Sequence, residues 1–291
     1  MKNRIIINAD DLGMSVEVNS AIEKAIIDGC ISSSTIMANA PAFEDAIRIA
    51  KRYPQISFGV HLNIDEFCPL TDSSVFMKYG LLDDNGSFKK EYLLNSDIIY
   101  CDELYESIYN EWDAQIKRVV DSGITPSHVD SHEHTHGIFE LQTTLVRLMK
   151  GYGIKRVRRR PYPSMFDMAA IKLLRINQSS RHVTNNQSVE SMSTKNRHSF
   201  IIRRMKQLLD ARRHRKWIKD MGGEGFVMTD YFEGYQVFYN CYPRLFKYRK
   251  MGIIELMTHP GHKGYQEETE KLMRKELKRV CQYELMNYNQ L

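Results

Sequence analysis

The sequence predicts an α/β protein built on a parallel sheet, and three observations predict it. Residues 4–9 (RIIINA) form a run rich in β-branched residues, the pattern of a strand covered on both faces. Strand-like and helical stretches then alternate along much of the chain. Polar residues suited to chemistry gather where the strand-like stretches end, the rim at which parallel α/β folds build their sites.

The elements follow in order. After residues 4–9, Ser15 can cap a helix in which Val18, Ala21, Ile22, Ala25 and Ile26 fall at helical spacing, and Gly29 ends it. Residues 32–40 (SSSTIMANA) read as a second strand, 42–52 as a helix and 56–63 (ISFGVHLN) as a third strand. Residues 65–96 are turn-rich, with Pro69, Gly80 and the Asn85-Gly86 pair, and read as a loop over the site. A helix is predicted over 105–120, a strand over 128–136 (HVDSHEHTH), a helix over 141–149, and strands over 154–157, 226–229 and 252–257. These seven strands come in an order that suits a barrel more than an open sheet, although counting does not decide between the two. Residues 160–220 carry NQSS, TNNQS and ESMSTKN stretches beside basic helical pieces. They read as an insertion into one domain spanning 1–291.

With 291 residues and 42% hydrophobic content, the chain can bury a substantial core. A formal charge of +5 is mild and does not indicate a nucleic-acid binder. The charge is unevenly spread: residues 151–220 hold 18 basic and four acidic residues. Within that stretch, residues 199–221 read as an amphipathic basic helix with Ile201, Met205 and Leu208 in line. The favoured reading packs it on the barrel with its charges in water. An anionic partner, or a membrane surface bearing a lipid-linked substrate, is the alternative, and the insertion is also a candidate interface for a homo-oligomer. No aromatic-interleaved groove accompanies the charge, so no nucleic-acid role is read. His182, His198 and His214 lie in this stretch and receive no role.

Five cysteines (Cys30, Cys68, Cys101, Cys241, Cys281) are odd in number and never in a CxxC spacing, which argues against a disulfide framework and a thiolate zinc site. The N-terminal residues lead straight into the first strand without a signal-peptide or membrane-span pattern. A cytoplasmic protein is expected.

The candidate chemistry lies at four strand ends: Asp10 and Asp11, His61, the histidine run, and His259 in ELMTHPGH. One carboxylate and two imidazoles on one face suit a catalytic divalent ion with positions left open, and Asp10 or Asp11 with His61 and the run could supply that set. If residues 130–136 stay extended, Asp130, His132, His134 and His136 share a face, but His132 and His136 stand roughly 13 Å apart at ~3.3 Å per residue. Only one or two of them can then bind one ion. Each feature also has an ordinary reading: a helix cap and surface charge for the aspartates, a core histidine for His61, turn chemistry for His259. The four-histidine run is least easily explained that way.

INADDLG, FGVHLN, HVDSHEHTH and THPGH, in this order, resemble the YdjC-like carbohydrate deacetylases over residues 4–160 and again over 226–264. The resemblance implies a distorted (β/α) barrel, TIM-barrel-like, and metal-dependent removal of acetyl from an N-acetylated sugar. It implies Asp11, His61 and His132 as ligands of one divalent ion, Mg or Zn, with Mn or Co compatible. Asp10 then becomes the general base and His259 the candidate acid, while Asp130, His134 and His136 contact substrate or orient other groups. Two alternatives stand beside this: a dinuclear amidohydrolase using His132/His134 or His134/His136, and a non-catalytic sugar- or membrane-binding protein on the same scaffold. The sequence departs from the family in the long basic 160–220 stretch.

Overall fold

The computed structural model describes residues 3–90, 92–95, 100–161, 194–245 and 252–291, with the side chains of 94, 95, 194–208 and 242–245 outside that description. Its centre is a wholly parallel sheet curled into a half-barrel. The strands are β1 (Asn3–Leu12), β2 (Ser33–Ile36), β3 (Ser57–Leu62), β4 (Val129–Ser131), β5 (Tyr231–Gly234), β6 (Ile253–Thr258) and β7 (Tyr283–Leu285). They run β4-β3-β2-β1-β6-β5, with β7 on the first residues of β1. The helices are α1 (Val16–Ile27), α2 (Phe43–Arg52), α3 (Ser74–Lys78), α4 (Tyr92–Asn95), α5 (Asp102–Asp121), α6 (Gln142–Gly151), α7 (Thr194–Gly223), α8 (Tyr235–Leu245), α9 (Gln266–Met273) and α10 (Leu277–Val280).

The first unit forms as its residues dictate. Ser15 accepts a hydrogen bond from the Val18 amide and caps α1, and Gly29, at φ +61, turns the chain out of it. Alternation then sorts the strand residues. Ile5, Ile7 and Ala9 join Val60, Leu62, Ile254 and Leu256 in the main core, while Asn8, Asp10, Thr35, His61, Asp130 and Glu255 share a buried polar network. Ile6 belongs to a separate small cluster with Met286 and Tyr288, contributed by the C-terminal segment.

Among the described residues seven strands are present, but they are not the predicted seven. Residues 154–157 and 226–229 contribute only single parallel bridges, Val129 to Val157 and Arg156 to Val227, which carry the sheet past β4. The short β5 and β7 take their places in the count. The predicted strand over 128–136 is corrected too: it ends at Ser131, and His132–Gly137 is a tight 3₁₀ turn in which Glu133 (φ 46) and His134 (φ 57) are left-handed. Inside the 65–96 loop lie the short helices α3 and α4.

Of the 160–220 stretch, residues 162–193 lie outside the described residues, as do the side chains of Ile201, Met205 and Leu208. In the described part of α7, Ala211, Trp217 and Met221 are buried, and Arg212, Arg213, Arg215, Lys216 and Lys219 are exposed. Trp217 stands edge-on to His136, and its carbonyl accepts from Gln142. The described part of this helix, from residue 209 on, thus rests on the barrel with its charges outward. Among the described residues no helix is long and apolar enough to cross a membrane.

Strand β3 meets β4 so closely that Gly59 has no room for a side chain. A Cβ there would lie 2.6 Å from His128 Cε1 and 2.7 Å from the His128 carbonyl oxygen. Gly59→Ala should therefore cost about 1–3 kcal/mol by overpacking. Urea unfolding tests this, and wild-type stability would mean that the His128 ring yields freely.

Candidate metal centre and active site

The rim of the half-barrel is built around a break in β1. Between Ala9 and Leu12 the pairing with β2 shifts register, and Asp11 takes a left-handed conformation (φ 67) within that bulge. Consecutive strand residues would point to opposite faces, yet both Asp10 and Asp11 line the same cavity. The bulge re-aims one of them.

Asp11 Oδ1 lies 3.0 Å from His61 Nε2 and 2.9 Å from His132 Nδ1. Potential donor atoms of these three residues all fall within 4.8 Å of one another. One carboxylate and two imidazoles at this spacing fit a divalent ion with open positions. Each imidazole has a carboxylate on its other nitrogen: Asp130 Oδ1 sits 2.7 Å from His61 Nδ1, and Glu66 Oε2 sits 3.3 Å from His132 Nε2. The Asp130 hydrogen bond fixes the ring orientation and tautomer of His61, whereas Glu66 stands at ion-pair distance from His132 without an aligned hydrogen bond. Two further donor groups occur among the described residues. Asp10–His61–Asp130 already faces a guanidinium, and Asp65–His132–Glu133 lies where Lys90 Nζ is 4.0 Å from Glu133. The first set is the better fit. No group of donors includes His134 or His136 among the described residues, so the HxH pairs form no cluster of this kind.

Beneath this layer is Arg158, fully buried. Its Nη1 and Nη2 clasp both oxygens of Asp10 at 2.6 and 2.7 Å, Nη2 also lies 2.9 Å from Asp130 Oδ2, and Nε donates to Glu255 at 2.7 Å. Glu255 Oε2 accepts from Tyr288 Oη at 2.5 Å. The Tyr288 ring stacks on His128, with centroids 3.5 Å apart. None of Arg158, Glu255 and Tyr288 was marked as functional by the sequence. One signal was available: an arginine next to a buried strand segment must find a carboxylate, and Asp10 and Asp130 were unpaired candidates.

Electrostatics differ sharply from residue to residue. Burial pushes Asp10 up, but the Arg158 charge and hydrogen bonds outweigh it and hold the carboxyl below its usual range. Asp11 is likewise held low, against burial, by His132, His262 and His61. Burial opposes protonation of His61, yet Asp130 and Asp11 lift its pKa to about 9. His132 is raised well above its usual value by Asp11 and Glu66, again against burial. His134 falls to about 3 and His136 well below normal, both chiefly through burial. His259, whose Nδ1 is 3.7 Å from Glu268 Oε1, is raised by Glu268, Asp11 and Asp10 in spite of burial.

Asp10, Asp11, His61, His132, His134 and His259 thus line one cavity of about 400 Å³. Met14, Glu66, Lys90, Glu133, His262 and Tyr265 complete much of its wall. Asp130 lies behind His61, and His136 is tucked away, with Nδ1 2.6 Å from Ser131 Oγ. His262 was passed over although it stands in the same THPGH motif.

The sequence profile of the YdjC-like proteins matches residues 4–291. This chain belongs to the YdjC-like family. As a YdjC-like protein it is 34% identical over 153 residues to a carbohydrate deacetylase of Halalkalibacterium halodurans, covering 52% of this chain and 62% of that one. It is 37% identical over 138 residues to a carbohydrate deacetylase of Geobacillus stearothermophilus (47% and 51%), and 35% identical over 171 residues to carbohydrate deacetylase 1 of Listeria innocua (58% and 65%). The matched stretch therefore spans between 51% and 65% of these relatives' length. A solved structure from Enterococcus faecalis, of a candidate cellobiose-phosphate cleavage protein, superposes with a TM-score of 0.67 at 21% identity, covering 100% of this chain and 99% of that one. That likeness speaks for the fold.

Glu255 supplies a pH test. Burial, with the charge of Asp130, pushes its pKa from 4.5 up to about 7 although Arg158 and Tyr288 pull it down. The folded state then holds a proton that the unfolded chain releases, so the Glu255 contribution to stability should fall as pH rises from about 4.5 to about 7. Asp10 and Asp11 act oppositely, but only below their ordinary 3.8. The lowered His128, His134 and His136 also act oppositely within the window, and alike in wild type and Glu255→Gln. The unfolding temperature of wild type relative to that of Glu255→Gln should therefore decline across the window; a constant difference would remove Glu255 as the proton holder.

Proposed function

We propose that this YdjC-like protein is a metal-dependent hydrolase that removes the acetyl group from an N-acetylated sugar, cleaving a linear amide. One observation carries the reading: Asp11, His61 and His132 bring donor atoms within 4.8 Å in a cavity that Asp10 and His259 also line. The names of the relatives, carbohydrate deacetylases, support the substrate class.

In this reading Asp11, His61 and His132 hold one divalent ion, Mg or Zn, with Mn or Co also suited to the donors. When bound, the ion supplies a Lewis acid that makes water more acidic and polarises the acetyl carbonyl. Asp10 accepts the proton of the attacking water. Its Oδ1 already accepts from Arg158 Nη2 and Asn8 Nδ2, whereas among the described residues Oδ2 accepts from Arg158 Nη1 alone. An ionised carboxylate has about four lone-pair sites, so Oδ2 has the one left for that proton. The Arg158 clasp keeps Asp10 ionised and aimed. His259, whose pKa is raised, keeps a proton to give to the leaving amine, with Glu268 behind Nδ1. Neutral His134 contacts the sugar, Asp130 orients His61, and His136 supports the turn through Ser131.

The test is acetate release from N-acetylglucosamine, diacetylchitobiose and longer chitooligosaccharides by chelated protein, with and without added Zn, Mg, Mn or Co. Metal-dependent acetate from at least one is expected; silence across the panel with metal still bound would reject the sugar assignment and favour lipid-linked or other acyl substrates. Asp11→Ala, His61→Ala and His132→Ala should each lose the ion, and wild-type metal content in all three would reject the ligand set. Asp10→Asn should keep the ion while kcat falls roughly 10²–10⁴-fold. A near-normal kcat would remove Asp10 as the base.

A further inference from the structure

The two oxygens of Asp11 face different partners. Oδ1 meets His61 and His132, and Oδ2 lies 3.1 Å from His262 Nε2. His262 lines the cavity, with its side chain 18% exposed. The route by which it arrives there is specific. His259-Pro260-Gly261-His262 is a turn in which the His262 amide reaches the His259 carbonyl at 3.3 Å and the Tyr265 amide reaches the His262 carbonyl at 3.0 Å. Gly261 sits at φ +86, and a Cβ there would be 2.8 Å from Ala21 Cβ and 3.0 Å from Val18 Cα. Only glycine lets this turn press against α1 and fold His262 back over the end of β1.

We propose that His262 is a positioning residue for the Asp11 carboxylate, donating from Nε2 to Oδ2 so that Oδ1 is the oxygen presented to the divalent ion. This rests on the reading that Asp11, His61 and His132 hold that ion. The backbone of Asp11 is set by its left-handed conformation, so the side-chain torsions are its remaining freedom. A carboxylate without a donor on its second oxygen can rotate, or offer both oxygens, and binding must then order it. Ligating carboxylates are ordinarily hydrogen-bonded for this reason. The Nε2 to Oδ2 approach is 3.1 Å but is not aligned as a hydrogen bond, so donation requires the carboxylate or the ring to turn into line. His262 is not part of the tight donor group of Asp11, His61 and His132, and a glutamine in its place separates a partner of the ligand from a ligand.

The test is metal affinity, which needs no substrate. Metal-stripped full-length protein is titrated with Zn²⁺ against a competing chelator, as wild type, His262→Ala, His262→Gln and Asp11→Ala. The Gln amide nitrogen can stand near the position of Nε2 and donate, but it is a poor zinc ligand. His262→Ala should bind Zn²⁺ roughly 10–100-fold more weakly, the usual effect of losing such a partner. His262→Gln should recover most of that loss, Asp11→Ala should abolish binding, and the metal-free unfolding temperatures of the two His262 variants should match wild type. Unchanged affinity in His262→Ala, or a Gln variant as weak as Ala, would overturn the proposal while leaving the ligand set standing. Wild-type affinity in Asp11→Ala would instead bring down the ligand set, and the proposal with it.

Discussion

One buried guanidinium holds the interior of this half-barrel together. Taking a cation out of water costs several kcal/mol, and Arg158 is tolerated because each edge of its fork meets a carboxylate. The dependence is mutual. Asp10, Asp130 and Glu255 enter from β1, β4 and β6, and without the cation three buried like charges would converge. One positive charge does not balance three negative ones: His61, whose pKa is raised to about 9, offsets a second at Asp130, and the third is absorbed at Glu255, where burial raises the pKa to about 7. Its second oxygen still needs a donor. Tyr288 provides it, so the C-terminal segment must return to the barrel interior, where its amide also bonds Ser57 Oγ.

The same hub ties the two sides of the site to one rigid group. Arg158 holds Asp10 directly and reaches His61 through Asp130. A site indexed in this way keeps its geometry without depending on loop packing. Strain is concentrated above it. Asp11, Glu133 and His134 are all left-handed, at a cost of order 1–3 kcal/mol each, and such conformations persist only where the surroundings over-determine them. For Asp11 the surroundings are the strands paired on either side of β1 and the His61 and His132 rings at 3.0 and 2.9 Å from Oδ1.

What could be read from the sequence follows from this arrangement. Strands β1, β3 and β6 were legible because continuous apolar runs mark burial on both faces, and α1 because Ser15 and Gly29 punctuate it. Strands β5 and β7 were not, since YFEG and YEL are too short and too polar to carry a period. Residues 154–157 have the look of a strand and make only two isolated bridges, to Val129 and Val227, because pairing depends on neighbours that local pattern does not encode. In the site, Asp10, Asp11, His61, His132, His134 and His259 were found from their places at strand ends. Arg158 and Glu255 were missed because each is explained only by the other and by Asp10, across 97 and 148 residues of chain. His262 was missed because a Pro-Gly turn was read as punctuation and not as the means of delivering the next side chain.

The early end of β4 decides what the histidine run does. Extended, the run would place His132, His134 and His136 on one face as near equivalents, each two residues further along the strand. The left-handed pair Glu133 and His134 breaks that equivalence and gives three environments. His132 faces Asp11 and Glu66 and is drawn toward positive charge. His136 turns back beneath Ser131 and Trp217 and is lost to the cavity. His134 stays in the cavity wall, stripped of its proton by burial and by the Arg158 charge, with its ring edge against Phe232. A neutral imidazole has one donor and one acceptor nitrogen. The four histidines therefore end in four places: His132 against the Asp11 carboxylate, His134 in the cavity wall, His136 as an internal brace, and His128 stacked on Tyr288 below.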